Sequence, residues 1–181
     1  MLEVRTAFSI ELFRYRIPNW ESKKQKLIEV LEDHAQYEFH ECWTDFYAPQ
    51  SPEYLNRWYD ILEEDLNIIL PQTGLNLKSK EHWELWSQRY ESGARHGAHN
   101  HGMGTLSGVL FLDFNPIEHQ STAFYSPFPN PYHGTIDMLQ LSDVREGDII
   151  LFPAMLLHEC PPQRGSEKIR TIMSFNIPLL K

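Results

Sequence analysis

Two features that would assign a chain to a class at once are scarce in this sequence. Its only cysteines are Cys42 and Cys160, too few for the disulfide framework of a small secreted domain. No apolar run approaches the roughly 20 residues that a membrane-spanning helix needs, and charges interrupt the N-terminal stretch where a signal peptide would be apolar. We therefore expect no membrane partner and a reducing, cytoplasmic location.

Clustered positive charge is also missing. The chain has 16 lysines and arginines against 25 acidic residues, for a net charge of −9. Lys23, Lys24 and Lys26 stand among glutamates on a predicted helix, which is typical of a solvated surface. Such a chain repels phosphate backbones, so the composition disfavours a nucleic-acid partner. We expect the partner to be a small molecule or a peptide.

The length and composition fit one compact domain, which we place at residues 1–181. Residues 1–82 read as a mainly helical support. A strand is predicted over 8–16, Asn19 can cap a first helix, and Ser51-Pro52 starts a second one. Apolar residues then recur at helical spacing until Pro71 and Gly74 end the pattern.

From residue 83 onward the apolar period changes from that of a helix to that of a strand. The predicted strands cover 83–90, 106–114, 135–141, 148–152, 156–160 and 169–177. Many short strands after two helices indicate an antiparallel sandwich or small barrel with the helices packed outside. Residues 115–134, rich in proline and aromatic residues, are predicted to form a long loop.

Three of the nine histidines lie within six positions, in the stretch RHGAHNHGMGTLSGV at 95–109. On a strand, His99 and His101 would point to one side and could bind one metal ion, and His96 would point to the other side if the strand ran regularly. A polar surface is the alternative interpretation of such a short pattern. The neighbouring Ser107-Gly108 pair indicates close packing, because no base is spaced to activate a nucleophile.

Two further residues stand where their chemistry is out of place. His158 comes after a nearly apolar strand. It is interpreted either as a metal ligand or as a packed core histidine. Arg170 lies inside the last predicted strand, on the same side as Ser174 and Asn176. A buried guanidinium needs an anion, which is either a protein carboxylate or the carboxylate of a small ligand.

The combined order of these residues resembles a known family. The chain resembles the non-haem iron, 2-oxoglutarate-dependent oxygenases. The matching segments are His99-Asn100-His101, "LSGVLFL" at 106–112, "GDIILFPAMLLHECPP" at 147–162 and "RTIMSFN" at 170–176. Trp86 and Tyr90 match as well. The nearest resemblance is to a branch found in phages and bacteria, and a phage protein would act in the host cytoplasm.

The resemblance implies a fold, a reaction and a set of site residues. The fold is mainly β (α+β), a double-stranded β-helix (jelly roll, cupin-like) over 83–178 with N-terminal helices packed against the sheet. The reaction hydroxylates an unidentified substrate with O₂ while 2-oxoglutarate is decarboxylated to succinate. The implied Fe(II) ligands are His99, His101 and His158. The implied residues for 2-oxoglutarate are Arg170, with Tyr90, Ser174 and Asn176 assisting.

One position departs from the family pattern, because His101 stands where a carboxylate ligand is usual. A neutral imidazole in place of a carboxylate leaves the iron site more positive by one unit of charge. Three-histidine, cupin-type dioxygenases that use no 2-oxoglutarate are therefore an alternative, which Arg170 disfavours. A non-enzymatic jelly-roll binding module is a third interpretation. Tyr90 has the alternative role of a packed core aromatic residue.

The remaining candidates have plainer interpretations. We expect His34, His119 and His133 to lie at the surface. Cys160, two residues from His158, is expected to be a buried, inert thiol.

Overall fold

A computed structural model of the chain describes residues 9–32, 36–39, 42–48, 51–164 and 167–180. Within these residues there are two α-helices and eleven strands, and no helix is long and apolar enough to cross a bilayer. The helices are α1 (Trp20–Glu32) and α2 (Pro52–Gln72), and a short 3₁₀ turn spans Lys80–His82. The strands are β1 (Phe13–Arg16), β2 (Tyr37–Phe39), β3 (Cys42–Thr44), β4 (Glu84–Tyr90), β5 (His96–His99), β6 (Thr105–Asp113), β7 (Ala123–Pro129), β8 (Ile136–Gln140), β9 (Asp148–Pro153), β10 (His158–Cys160) and β11 (Arg170–Pro178).

The strands form two antiparallel sheets, as the sequence predicts. The larger sheet has the order β1-β9-β6-β11-β4-β3-β2, and the smaller has the order β5-β10-β7-β8. Strands β1, β2 and β3 come from the first 82 residues, so the predicted helical support also extends both edges of the larger sheet.

Helix α2 supplies most of the outer cover of the larger sheet. It begins at Pro52, directly after Ser51, because proline fits the first helical turn without losing a hydrogen bond. Its buried side includes Trp58, Leu62 and Leu66, spaced one turn apart. These side chains pack with Phe175 and other residues of the sheet in one hydrophobic core.

Alternation along the central strands separates two cores. On β11, Met173 and Phe175 face the helices, while Ile172 joins a second core between the two sheets. Residues on a strand alternate between faces, so Arg170, Ser174 and Asn176 share the inner face with Ile172, as predicted. Strand β11 lies between β4 and β6, so its inner side chains are flanked from both sides.

Two predicted segments differ from the structure. Residues 115–134 are not a single loop, because β7 (Ala123–Pro129) crosses them and pairs with β8 and β10. Prolines at 127 and 129 obscure this strand in the sequence; here they coincide with a register shift between Tyr125 and Pro129. The N-terminal strand is shorter than predicted, at Phe13–Arg16, and Phe8 lies outside the described residues.

The surface assignment of His119 is wrong. The side chain is buried, its Nδ1 accepts a hydrogen bond from the main-chain N–H of Asn115, and its Nε2 donates to the carbonyl of Lys168. The ring therefore ties two connections together. His133 is exposed, as expected, and His34 lies outside the described residues.

Gly108 lies against the ring of Phe175, which in turn packs on Trp58 with ring centroids 4.9 Å apart. A Cβ atom at this position would overlap the Phe175 ring. This contact supports the packing interpretation of the Ser107-Gly108 pair.

Gly108→Ala is expected to destabilise the protein by about 1–3 kcal/mol, because the core must shift to admit one methyl group. Thermal unfolding measures this as a fall in Tm of several degrees. Gly97→Ala is the matched control, since nothing lies within 4 Å of a Cβ built there. Equal Tm values for the two variants would contradict the packing role of Gly108.

Candidate metal centre

Three histidines from three segments converge at one end of the space between the sheets. His99 ends β5, His158 begins β10, and His101 lies two residues beyond β5. One possible ligand atom from each lies within 4.8 Å of the others. The ring centroids of His99 and His158 are 4.4 Å apart, and that of His101 is 5.3 Å from His99. The structure therefore brings together the three histidines that the resemblance implies as metal ligands.

The path of the backbone to this cluster differs from the predicted regular strand. His99 pairs with His158, and His96 pairs with Cys160, so three steps on β5 match two on β10. This irregularity acts as a β-bulge and returns His96 to the face of His99. The two rings stack at 4.1 Å, so His96 does not point away from His99, as it would on a regular strand. His101 lies outside the strand, and its main-chain N–H donates a hydrogen bond to the carbonyl of Ala154.

Each of the three histidines has an oxygen acceptor at Nδ1. The carbonyl of Gly97 lies 2.8 Å from Nδ1 of His99, and that of Leu156 lies 2.8 Å from Nδ1 of His158. A carbonyl can only accept, so Nδ1 donates and Nε2 keeps its lone pair. Neutral imidazole with a free Nε2 is the form that binds a transition metal.

A series of side-chain hydrogen bonds orients His101. Its Nδ1 lies 2.9 Å from Oδ1 of Asn176 and 3.0 Å from Oγ of Ser107. Asn176 in turn donates from Nδ2 to Glu84, at 2.9 Å, which fixes its amide with Oδ1 facing the imidazole. Asn176 therefore stands behind a candidate metal ligand, which differs from the cofactor contact that the resemblance implies.

Burial keeps two of these imidazoles neutral. It lowers the pKa of His158 to about 3, since few solvent contacts remain to stabilise a charged ring. Burial also lowers the pKa of His99. Protons therefore compete weakly with a metal ion at these two nitrogens near neutral pH.

Arg170 lies deeper between the sheets and is fully buried. Its Nε, Nη1 and Nη2 atoms have no hydrogen-bond partner, and no carboxylate among the described residues pairs with it. The guanidinium instead lies over the rings of Tyr90 and Phe111, at 4.8 and 5.4 Å from their centroids. A protein carboxylate is thus not its counter-ion in the described chain, and a cation left in this state is costly unless an anionic ligand arrives.

The inner faces of β4 and β11 connect Arg170 to the histidines. Tyr90 pairs with Arg170, and Trp86 pairs with Ser174, on adjacent strands. Tyr90, Arg170, Ser174 and the three histidines line one narrow cavity, with Gln88 and Cys160 among its other walls. Its free volume is about 20 Å³, room for one or two water molecules. A larger ligand must move the lining side chains apart.

A wider cleft opens on the other side of the histidines. Its volume is about 350 Å³, and it is lined by His99, His101, Trp86, Glu84 and the exposed Phe46 and Tyr47. The candidate metal centre therefore borders both a narrow cavity lined by the buried Arg170 and a wider cleft.

Several contributing residues were not identified from the sequence. Ser107, Glu84 and Gln88 hold or surround the histidines, yet each is an ordinary polar residue in a strand. Ser107 pairs directly with Asn176 across β6 and β11, so knowledge of the strand pairing would have revealed it. The thiol of Cys160 is buried and its pKa is raised by burial, as expected for an inert cysteine.

Comparison with protein families identifies one match. A family model described as "Putative 2OG-Fe(II) oxygenase" matches residues 84–176, just over half of the chain. The matched segment runs from the start of β4 into β11 and contains the three histidines and Arg170. No curated protein matches the chain.

Solved structures share the fold at low sequence identity. A prolyl-4-hydroxylase from Pseudomonas putida superposes with a TM-score of 0.63 and 14% identity, covering 95% of this chain and 94% of that one. HygX from Streptomyces hygroscopicus, with nickel and 2-oxoglutarate bound, gives 0.63 and 13%, covering 94% and 83%. The carbocyclase SnoK from nogalamycin biosynthesis gives 0.63 and 12%, covering 93% and 79%. These likenesses establish the double-stranded β-helix fold.

Asn176→Ala is expected to weaken Ni(II) or Co(II) binding by about tenfold, because His101 loses the oxygen that orients it. Metal titration followed by calorimetry measures the change. Asn67→Ala, an exposed position on α2, is the control and should leave affinity unchanged. Unaltered affinity in Asn176→Ala would show that His101 needs no such support.

Acid should destabilise the chelator-treated protein through His158. The unfolded ring binds a proton near pH 6.5, but the folded ring does so only near pH 3, so stability falls as the pH drops between these values. The contribution lost over the whole window is roughly 5 kcal/mol. His158→Gln should show a shallower fall of Tm with pH than the wild type, whereas His133→Gln should match the wild type. Parallel curves for all three proteins would contradict the burial effect.

Proposed function

Since this chain belongs to the family of 2OG-Fe(II) oxygenases, we propose that it is a 2-oxoglutarate-dependent hydroxylase. The observation that carries the proposal is the fully buried Arg170 guanidinium, which has no hydrogen-bond partner and shares a cavity with three converging histidines. A carboxylate entering this cavity would supply the missing anion.

The donor set fits Fe(II). His99, His101 and His158 would hold the ion through Nε2, and three protein ligands leave coordination positions for substrates. When bound, Fe(II) with 2-oxoglutarate supplies the O₂ chemistry that couples C–H hydroxylation to decarboxylation of the keto acid to succinate.

The chain's own residues bind, orient and exclude water. Arg170 would bind the distal carboxylate of 2-oxoglutarate through two parallel N–H donors. Tyr90 places its ring against the same guanidinium and restricts its position. Phe152 packs on His158 at 4.8 Å and contributes an apolar wall. Ser174 lines the same cavity as Arg170 and the histidines and is proposed to contact the keto acid.

Entry of the keto acid requires the cavity to widen. The present free volume is about 20 Å³, so side chains between Arg170 and the histidines must shift as the ligand binds. The gain from pairing a buried cation with a carboxylate is the free energy that can drive this movement.

A second candidate function follows from the absence of a carboxylate from the histidine cluster among the described residues. A three-histidine dioxygenase that uses no 2-oxoglutarate would hold the same metal. In that case Arg170 would bind a carboxylate of the substrate itself.

An anaerobic titration with Fe(II) and then 2-oxoglutarate distinguishes the two candidates. The proposal predicts a visible charge-transfer band only when both are present, because the keto acid then chelates a protein-bound iron. Arg170→Met should raise the Kd for 2-oxoglutarate at least about tenfold while Fe(II) still binds, since a charge-assisted pair is lost.

Arg89→Met is the matched control, because Arg89 lies on the neighbouring strand with an exposed side chain. It should bind 2-oxoglutarate like the wild type. Iron binding without a band in the wild type would favour the 2-oxoglutarate-free dioxygenase, and no iron binding would overturn both candidates.

A further inference from the structure

The cleft beside the histidines has few charged residues in its described lining. Glu84 is its only acidic lining residue, and none of the described lining residues is a lysine or an arginine. Glu84 is exposed. Among the described residues, the Glu84 carboxylate accepts one side-chain hydrogen bond, from Asn176. No ion pair in the described chain neutralises this carboxylate, so most of its acceptor capacity faces the cleft.

Aromatic rings form the wall next to this carboxylate. Phe46 contacts Trp86 edge-on at 5.3 Å and Tyr47 edge-on at 5.2 Å. Phe46 and Tyr47 are 46% and 58% exposed, although large aromatic side chains are ordinarily buried. Exposed aromatic surface in a cleft that a carboxylate also lines attracts cations and apolar groups together.

The aromatic wall is fixed to the sheet by a buried carboxylate. Asp45, one residue before Phe46, accepts hydrogen bonds from the N–H and hydroxyl of Ser87, at 2.6 and 2.9 Å, and from the hydroxyl of Tyr54, at 2.9 Å. The N–H of Phe46 also donates to Oγ of Thr44. The turn is therefore preorganised, which lowers the entropic cost of binding a ligand against it.

We propose that the cleft selects a substrate that carries a protonated amine beside an apolar body. The amine pairs with Glu84, and the apolar body lies on the Phe46 and Tyr47 rings, which brings its C–H bonds toward the histidines. An anionic substrate would meet the Glu84 carboxylate, and no lysine or arginine among the described lining residues would pair with it. This inference rests on the proposed function for its identification of the ligand as a substrate.

The test measures binding of three probes of similar shape to chelator-treated protein. The probes are cyclohexylmethylammonium, cyclohexylmethanol and cyclohexylacetate, and ligand-observed NMR gives each Kd. We expect the ammonium to bind about tenfold more tightly than the alcohol, and the carboxylate to bind most weakly. Equal affinities for ammonium and alcohol, or tighter binding of the carboxylate, would overturn the proposal.

Two variants locate the selectivity. Glu84→Gln keeps the shape and an acceptor for Asn176 but removes the charge, so the preference for ammonium over alcohol should fall to about twofold or less. Phe46→Leu should weaken the ammonium more than the alcohol, because it removes a ring face and keeps an apolar side chain. Glu81→Gln, an exposed carboxylate outside the cleft lining, is the control and should keep the full preference. An unchanged preference in Glu84→Gln would also overturn the proposal.

The probe measurement does not depend on the metal, so the two proposals fail separately. Charge selectivity without an Fe(II)–2-oxoglutarate band would overturn the proposed function and support an amine-binding cleft. A band without charge selectivity would overturn the amine proposal alone.

Discussion

A guanidinium enclosed between two sheets is stable only if something offsets the solvation it has lost, and the inner half of this fold is arranged around that requirement. Arg170 lies at the first position of β11, fully buried, with aromatic faces in place of a counter-ion. Aromatic faces offset part of the cost and leave its donors unsatisfied. The same strand leads from this cation to Asn176 beside His101, so one strand carries both the proposed carboxylate-binding residue and a side chain that supports the candidate metal centre.

The three histidines depend on backbone features as much as on their own side chains. A bulge at β5, two carbonyls and one asparagine set which nitrogen of each ring is free. Asn176 is held by Glu84, which itself borders the open cleft. The side chain of His101, a candidate metal ligand, is thus connected to the cleft through two hydrogen bonds.

Much of this arrangement was predictable from the sequence, and the exceptions have two causes. The period-two pattern located β4, β6, β9 and β11, and the resemblance to a known family, added to the chemistry of histidine and arginine, named the residues of the candidate metal centre. Pairing between distant strands is not encoded in a local pattern, so the roles of Ser107 and Glu84 could not be predicted. The bulge that turns His96 toward His99 and the proline-containing β7 are irregularities, which a periodic analysis cannot detect.

The separation of the interior into two cores affects how this protein can change over evolutionary time. The core beneath the helices is built from one face of each central strand, while the candidate site occupies the opposite face. Substitutions at sites without shared contacts have nearly additive effects on stability. The helix-facing layer can therefore act as a stability reserve, so that new substrate preferences arise on the inner layer without loss of the fold.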